Sequence, residues 1–187
     1  MNCIGIVGKS GSGKSTFSQY LQVELPQSEL IHGDSIMQEI ILSEKDLDLF
    51  NGEHDKSSII KQFILPKVKT NLMNKIEELL SLNQNTVIIL DWYRLPENTD
   101  IWQMCKTKIL VKPINENLRL HHINQRKKVT SRDLAIRDKI INHDDFLYDE
   151  IIINGYDNSL VESAKRMAKK IINNEIGRCQ RTTSGLA

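Results

Sequence analysis

The sequence predicts an α/β domain with a parallel β-sheet, and three observations support this prediction. Short, continuous apolar runs alternate along the chain with longer segments of helical periodicity, which is the pattern of βαβ units. The runs are apolar throughout rather than alternately apolar and polar, so they suit strands buried on both faces. A length of 187 residues with 40% hydrophobic residues is enough for one domain with a substantial core.

Five apolar runs are the predicted strands of a sheet that is flanked by helices in three layers. They are Cys3–Val7, Glu29–His32, Thr86–Leu90, Lys108–Val111 and Ile151–Ile153. The first helix is predicted to run from Lys14 to about Leu25, because Pro26 cannot continue it. The crossover connections between parallel strands are expected to be right-handed.

The chain contains no internal repeat and no linker, so we expect one domain over residues 1–176. Within it, a helical region at about 44–84 has one apolar face, which includes Val68, Leu72 and Ile76 at helical spacing. Few apolar residues follow Gly177. Residues 177–187 are therefore expected to form a flexible tail.

The composition argues against several classes of protein. A net charge of +1 gives no general attraction to nucleic acid or to anionic membranes. No apolar run approaches the roughly 20 residues that span a bilayer, and no signal peptide is expected. Cys3, Cys105 and Cys179 lie far apart, which favours reduced thiols and a cytoplasmic location. The histidines lack the spacing of a zinc site. The oligomeric state cannot be predicted from the sequence.

The stretch from Gly8 to Ser15 matches the phosphate-binding pattern G-x-x-x-x-G-K-[ST], with a predicted strand before it and a helix after it. Its glycines let backbone N–H groups face one point, and the helix N-terminus adds a positive dipole end. Lys14 is expected to reach the outer phosphates of ATP, and the Ser15 hydroxyl to ligate Mg²⁺. The predicted nucleotide-binding residues are Gly8, Ser10, Gly11, Ser12, Gly13, Lys14, Ser15 and Thr16.

Two aspartates follow predicted strands. Asp91 ends the run Thr86–Leu90, where proteins with this loop place the acid that holds Mg²⁺. Asp34 follows the second strand and precedes a helical run. It can be the N-cap of that helix or the base that accepts the proton of an acceptor hydroxyl, and the two roles are compatible. In a parallel sheet Asp34 would lie at the edge near the glycine loop.

The segment 118–140 is unusually basic. Its basic residues include Arg119, Arg126, Lys127, Lys128, Arg132 and Arg137. One interpretation is a solvated pair of charged helices. A second is a lid over about 119–138 that closes over the transferring phosphoryl group and whose arginines neutralise its charge. A third is a nucleic-acid patch, although no aromatic residues interleave with the basic ones.

With these motifs in place, the chain resembles the P-loop nucleoside and nucleotide kinases, and within them dephospho-coenzyme A kinase, over roughly residues 1–172. The shared features are the glycine loop, Asp34, the pair Asp91 and Glu97, the arginines Arg126 and Arg137, and the last strand with Asp149 and Asn154. The N-terminal third also resembles uridine kinase and nicotinamide riboside kinase. Both resemblances imply ATP, Mg²⁺ and a small-molecule hydroxyl acceptor, nucleoside-like or nucleotide-like.

The resemblance implies a three-layer P-loop NTPase fold, with the region 44–84 as one wall of the acceptor site. It implies the catalytic residues Lys14, Asp34, Arg126 and Arg137, the Mg²⁺ residues Ser15 and Asp91, and acceptor contacts from Asp34, Tyr93, Arg94 and Glu97. The chain departs from the dephospho-coenzyme A kinase pattern around the acceptor pocket. The departures are His32-Gly33, Leu65, Tyr93 to Glu97 and His122.

Three classes of function therefore stay open at this point. The first is a small-molecule kinase, with dephospho-coenzyme A or a nucleoside or nucleoside monophosphate as acceptor. The second is a nucleotide-binding regulator without turnover, which would have no need of Asp34. The third is an enzyme that acts on nucleic-acid ends through the basic segment, although no nucleic-acid or membrane partner is expected.

Overall fold

The computed structural model describes residues 2–43, 56–125, 138–139 and 141–183. Their strands form one five-stranded sheet in the order β2-β3-β1-β4-β5, and every pairing is parallel. The strands are β1 (Asn2–Val7), β2 (Ser28–His32), β3 (Val87–Asp91), β4 (Thr107–Pro113) and β5 (Glu150–Asn154). The predicted fold class is confirmed, and because the strands are parallel their carboxyl ends meet at one edge.

Helices connect the strands. They are α1 (Lys14–Glu24), α2 (Gly33–Ser43), α3 (Lys56–Ile59), α4 (Leu65–Leu82), α5 (Thr99–Met104), α6 (Glu116–Gln125) and α7 (Ser159–Thr183). A π-helical turn at Ile60–Ile64 joins α3 to α4, and 3₁₀ turns lie at Leu95–Glu97 and His143–Asp145. No helix in the described part of the chain is both long and apolar enough to cross a lipid bilayer.

Two hydrophobic cores lie on opposite faces of the sheet. Successive residues of β1 contribute to different cores, with Ile4 and Ile6 on one face and Cys3 and Val7 on the other. The first core also contains Phe17, Leu21, Ala164 and Met167 of α1 and α7, and the second contains Ile36, Val68, Leu72 and Trp102 of α2, α4 and α5. Burial on both faces explains why the strands have continuous apolar sequences.

The last helix, α7, continues into the C-terminal region. It runs through Gly177 to Thr183, and the flexible tail over residues 177–187 stays a prediction. An established helix gains one backbone hydrogen bond for each residue it adds. A single glycine costs it only about 1 kcal/mol relative to alanine.

Candidate active site

The glycine motif forms the loop between β1 and α1, at the carboxyl edge of the sheet. Gly11 and Gly13 have φ angles of 77° and 94°, in the left-handed region that favours glycine. A Cβ atom on Gly13 would overlap Asn154 and lie 3.0 Å from Leu160 Cδ1, so a larger residue does not fit. The helix α1 begins at Lys14, directly after the loop. The strand, loop and helix that the motif requires are therefore all present.

Side chains from distant parts of the chain hold three consecutive carbonyl groups of this loop. The pairs are Arg119 Nη1 with the Ser10 carbonyl at 2.7 Å, Tyr156 Oη with the Gly11 carbonyl at 2.9 Å, and Asn154 Nδ2 with the Ser12 carbonyl at 3.0 Å. The Ser12 hydroxyl is buried and has no hydrogen-bond partner among the described residues. A buried hydroxyl usually has a hydrogen-bond partner, and a bound ligand can supply one here.

Lys14 and Asp34 face each other across the edge of the sheet. The Lys14 Nζ lies 3.8 Å from Asp34 Oδ2, and the two side chains are 10% and 53% exposed. Asp34 lies in the first turn of α2, which begins at Gly33, so the structure places it inside the helix rather than at its N-cap. The carboxylate still lies at the positive end of the helix dipole.

Asp91 is the last residue of β3, and its carboxylate is buried among polar side chains. Its Oδ2 accepts hydrogen bonds from His32 Nδ1 at 3.0 Å and from Ser18 Oγ at 3.4 Å. Burial opposes ionisation, but the contact with His32, the charge of Lys14 and a hydrogen bond from Ser15 outweigh it. Together they hold the pKa of Asp91 below its usual value.

The Ser15 and Asp91 side chains fit a Mg²⁺ ion. The second carboxylate oxygen of Asp91, Oδ1, is buried and has no hydrogen-bond partner among the described residues. Mg²⁺ takes oxygen ligands and is usually held by one or two protein groups together with substrate phosphates and water. The described residues contain no group of three or more His, Cys, Asp or Glu side chains that could hold a metal ion by themselves.

His32 is a site residue that the motifs did not assign. It ends β2, and the strand register places it beside Asp91 at the end of β3. The hydrogen bond to Asp91 is the main cause that raises the pKa of His32. The signal available in the sequence was position alone, because both residues end neighbouring strands.

The predicted acceptor residues after β3 are only partly accessible. The Arg94 side chain is 3% exposed, and its Nε donates to Glu97 Oε2 over 2.5 Å while Nη2 donates to Glu97 Oε1 over 3.3 Å. Tyr93 is half-buried against the core. The structure therefore pairs Arg94 with Glu97, so the Arg94 charge is already compensated within the protein.

The basic segment is described only at its two ends. Arg126 and Arg137 lie outside the described residues, as do residues 44–55 of the predicted acceptor wall. Arg119 is 1% exposed and makes ion pairs with Glu116 and Asp138. The interpretation of the arginines in this segment as charges facing the phosphoryl group is therefore wrong for Arg119, which faces the interior.

His143 is a second residue that sequence reasoning missed. It is 6% exposed, in the 3₁₀ turn that precedes β5. Burial, followed by the positive charges of Lys14 and Lys9, lowers its pKa to about 4. The Tyr148 hydroxyl donates a hydrogen bond to the His143 carbonyl over 3.0 Å. No local pattern marks this histidine, because the long-range fold brings it within reach of the lysine charges.

Comparisons with known proteins gave matches among solved structures only. No family model and no curated protein sequence matches the chain. TT1252 from Thermus thermophilus matches with a TM-score of 0.67 at 18% identity, covering 92% of this chain and 97% of that one. A gluconokinase from Sinorhizobium meliloti matches with a TM-score of 0.59 at 14% identity, covering 95% and 97%. A dephospho-CoA kinase from Campylobacter jejuni matches with a TM-score of 0.54 at 20% identity, covering 92% and 96%.

These matches extend over nearly the full length of both chains, and their TM-scores of 0.54 to 0.67 establish a shared fold. Identities of 14% to 20% establish nothing beyond the fold. The chain therefore has the fold of the P-loop kinases, as the glycine motif and the order of elements predicted. The fold does not select an acceptor, because the similar structures include kinases of different small molecules.

Proposed function

We propose that this chain is an ATP-dependent kinase that transfers the γ-phosphate of ATP to a hydroxyl group of a small molecule. The supporting observation is the 3.8 Å approach of Lys14 Nζ to the half-exposed carboxylate of Asp34. A site that only held a nucleotide would need the lysine after the glycine loop. It would not need a carboxylate beside that lysine at the open edge of the sheet.

The donor half of the proposed site consists of the loop and the elements behind it. The backbone N–H groups of residues 8–16 and the ammonium group of Lys14 would bind the phosphates of ATP. The Ser15 hydroxyl and the unpartnered Oδ1 of Asp91 would hold Mg²⁺. When bound, Mg²⁺ supplies charge neutralisation on the phosphate oxygens.

The proposed reaction is a direct displacement. The acceptor oxygen forms a bond to the γ-phosphorus, and the bond from that phosphorus to the bridging oxygen of ADP breaks. Asp34 accepts the proton that leaves the acceptor hydroxyl. Lys14, together with Arg126 and Arg137 of the basic segment, stabilises the negative charge on the phosphoryl group. Positioning and charge supply most of the rate in phosphoryl transfer.

Dephospho-coenzyme A is the first candidate acceptor, and a nucleoside or nucleoside monophosphate is the second. The first is supported by the resemblance in the motifs and by the structural similarity to a dephospho-CoA kinase. The second is supported by the resemblance of the region around Asp34 to uridine kinase and nicotinamide riboside kinase. The similarity to a gluconokinase adds sugar acids to the set that needs testing.

The experiment that tests the proposal is a coupled assay of ADP release from Mg²⁺–ATP. Purified full-length protein is assayed without acceptor and with dephospho-coenzyme A, nucleosides, nucleoside monophosphates and gluconate. We expect one class of acceptor to stimulate ADP release. If the protein binds ADP but no acceptor stimulates the release of ADP from ATP, the hypothesis of a regulator without turnover replaces that of a kinase. Strong, salt-dependent binding of oligonucleotides would favour an enzyme of nucleic-acid ends.

A further inference from the structure

The glycine loop between β1 and α1 is anchored through its carbonyl groups. In a planar trans peptide, the carbonyl of one residue and the N–H of the next point in opposite directions. The hydrogen bonds that fix the carbonyls of Ser10, Gly11 and Ser12 therefore also fix the direction of the next N–H groups along the loop. The Ser10 carbonyl, bound by Arg119, sets the direction of the Gly11 N–H.

Arg119 differs from the other two anchors because it is a buried cation. Its side chain is 1% exposed, and besides the Ser10 carbonyl it contacts two carboxylates. Glu116 accepts from Arg119 Nε over 2.9 Å, and Asp138 accepts from Nη1 over 3.2 Å and also from Nη2. Burial favours the neutral guanidinium, but the two carboxylates outweigh it and raise the pKa of Arg119. A buried cation is stable only while it retains its carboxylate and hydrogen-bond partners.

The helix that presents Arg119 also touches the loop directly. A Cβ atom on Gly11 would overlap the Ile123 side chain and lie 3.5 Å from Arg119 Cγ. The contact is therefore between packed surfaces as well as through one hydrogen bond. Asp138 comes from a different part of the chain, beyond residues 126–137, and joins the same guanidinium.

We propose that Arg119 is a positioning residue for the donor phosphates, and that Asp138 and Glu116 hold it in place. Arg119 acts through the loop backbone, because its guanidinium is bound to the Ser10 carbonyl on the side of the peptide opposite the Gly11 N–H. The inference rests on the proposed function in requiring that the loop binds a nucleotide. It extends that proposal by making phosphate affinity depend on Asp138, which lies outside the glycine motif.

The test measures binding of two probes, ADP and inorganic tripolyphosphate, to the full-length protein by titration calorimetry with Mg²⁺ present. Tripolyphosphate isolates the phosphate loop because it carries no base or sugar. Asp138→Asn is expected to weaken both probes about tenfold, the size of one charge-assisted hydrogen bond. Asp138→Glu should recover most of that loss. Glu116→Gln should weaken both probes by about threefold, because Asp138 still pairs with Arg119.

Glu150→Gln is the matched control for Glu116→Gln. Glu150 also makes an ion pair, with Lys170, but it begins β5 at the opposite edge of the sheet from the loop. This variant should bind both probes as the wild-type protein does. If Asp138→Asn fails to fold, Glu116→Gln against Glu150→Gln still decides the question.

Three results would count against the inference, each in a different way. If Asp138→Asn and Glu116→Gln lower the melting temperature but bind both probes within about twofold of wild type, Arg119 is a structural contact only and the inference is overturned. If the wild-type protein binds neither probe, the proposed function fails first and the inference falls with it. Equal weakening of ADP and tripolyphosphate supports the inference, whereas weakening of ADP alone would assign the effect to the base or sugar and overturn it.

Discussion

The two halves of the proposed site are held in different ways. On the donor side, backbone groups form the proposed binding surface. Buried side chains of α6 and β5 and a half-buried side chain of the loop after β5 hold that backbone from its other side. On the acceptor side, the half-exposed carboxylate of Asp34 stands at the start of α2, and the cation that follows β3, Arg94, is already paired with Glu97. Under the proposed function, recognition of the donor would depend on backbone geometry and recognition of the acceptor on individual side chains.

This difference explains why the donor half can be predicted from the sequence in more detail than the acceptor half. A backbone cradle needs glycines at fixed spacing, and this requirement leaves a motif. A side-chain pocket accepts many combinations of residues, so it leaves no pattern that holds between enzymes with different acceptors. Variants in the two halves therefore distinguish a fixed donor half from an open acceptor half.

The largest effect is expected on the donor side. Lys14→Ala removes the ammonium group next to the phosphates and should lower kcat about 10²–10³-fold, as loss of a group that stabilises transition-state charge does. Steady-state kinetics with the acceptor found in the ADP-release assay measures this. Lys165→Ala, at an exposed position of α7, is the control and should behave as wild type. Equal activity of the two variants would contradict the donor assignment.

The second effect concerns pH and the buried His143. Its pKa is lowered to about 4 in the folded protein, so between pH 6.5 and 4 the unfolded chain binds a proton that the folded chain does not. Stability should therefore fall as the pH drops through this window, by about 3 kcal/mol from this group. Urea denaturation of the wild type and of His143→Gln at several pH values measures the difference.

The His143→Gln variant should lose less stability on acidification than the wild type, by about the same 3 kcal/mol. Carboxylates titrate in both proteins, so their contribution cancels in the comparison. His121→Gln, on the exposed side of α6, is the control for the loss of a histidine as such. Parallel pH profiles for the wild type and His143→Gln would show that His143 is not held neutral near the lysine charges.

The third effect belongs to the acceptor side. Asp34→Asn should lower kcat by about 10²-fold, because the acceptor hydroxyl loses its base. The KM for ATP should change little, because the loop and Lys14 are unaltered. Asp100→Asn is the matched control, since Asp100 is exposed and pairs with Lys69 away from the glycine loop. An unchanged kcat in Asp34→Asn would reduce Asp34 to a structural residue of α2.

The smallest effect tests whether Arg94 is free to bind an acceptor. Glu97→Gln leaves the buried guanidinium of Arg94 without its charged partner and should cost about 2 kcal/mol of stability. Equilibrium denaturation measures this cost, and Glu162→Gln at an exposed position of α7 is the control. Unchanged stability with a lowered KM for an acidic acceptor would instead make Arg94 an acceptor-binding residue.

The sequence predicted the fold and the conformation of the glycine loop because both depend on local pattern. Continuous apolar runs mark strands that are buried on both faces, and the motif from Gly8 to Ser15 needs only neighbouring residues. Asp91 could be found because it ends the most apolar strand. The pair Arg94 and Glu97 was also open to local reasoning, since residues three apart lie over one another in a 3₁₀ turn.

The remaining contacts depend on how the sheet is ordered. His32 meets Asp91 because β2 and β3 are neighbours in register, although the two residues are far apart in the sequence. Arg119 reaches Ser10 because β4 lies beside β1, which brings α6 over the loop. The basic character of the segment from 118 to 140 concealed that its first arginine is buried. Charge alone does not separate a cation that faces a ligand from one that faces two carboxylates.

Transfer of the γ-phosphate from ATP to a hydroxyl group can be followed directly with labelled phosphate. The full-length protein is incubated with Mg²⁺ and ATP labelled in the γ-phosphate, with each acceptor of the panel, and the products are separated. We expect the label to appear in a phosphate ester of one acceptor class, and we expect Asp34→Asn to lower the rate at which that ester forms. Label recovered only as inorganic phosphate, at a rate that no acceptor changes, would show that the protein is not a small-molecule kinase.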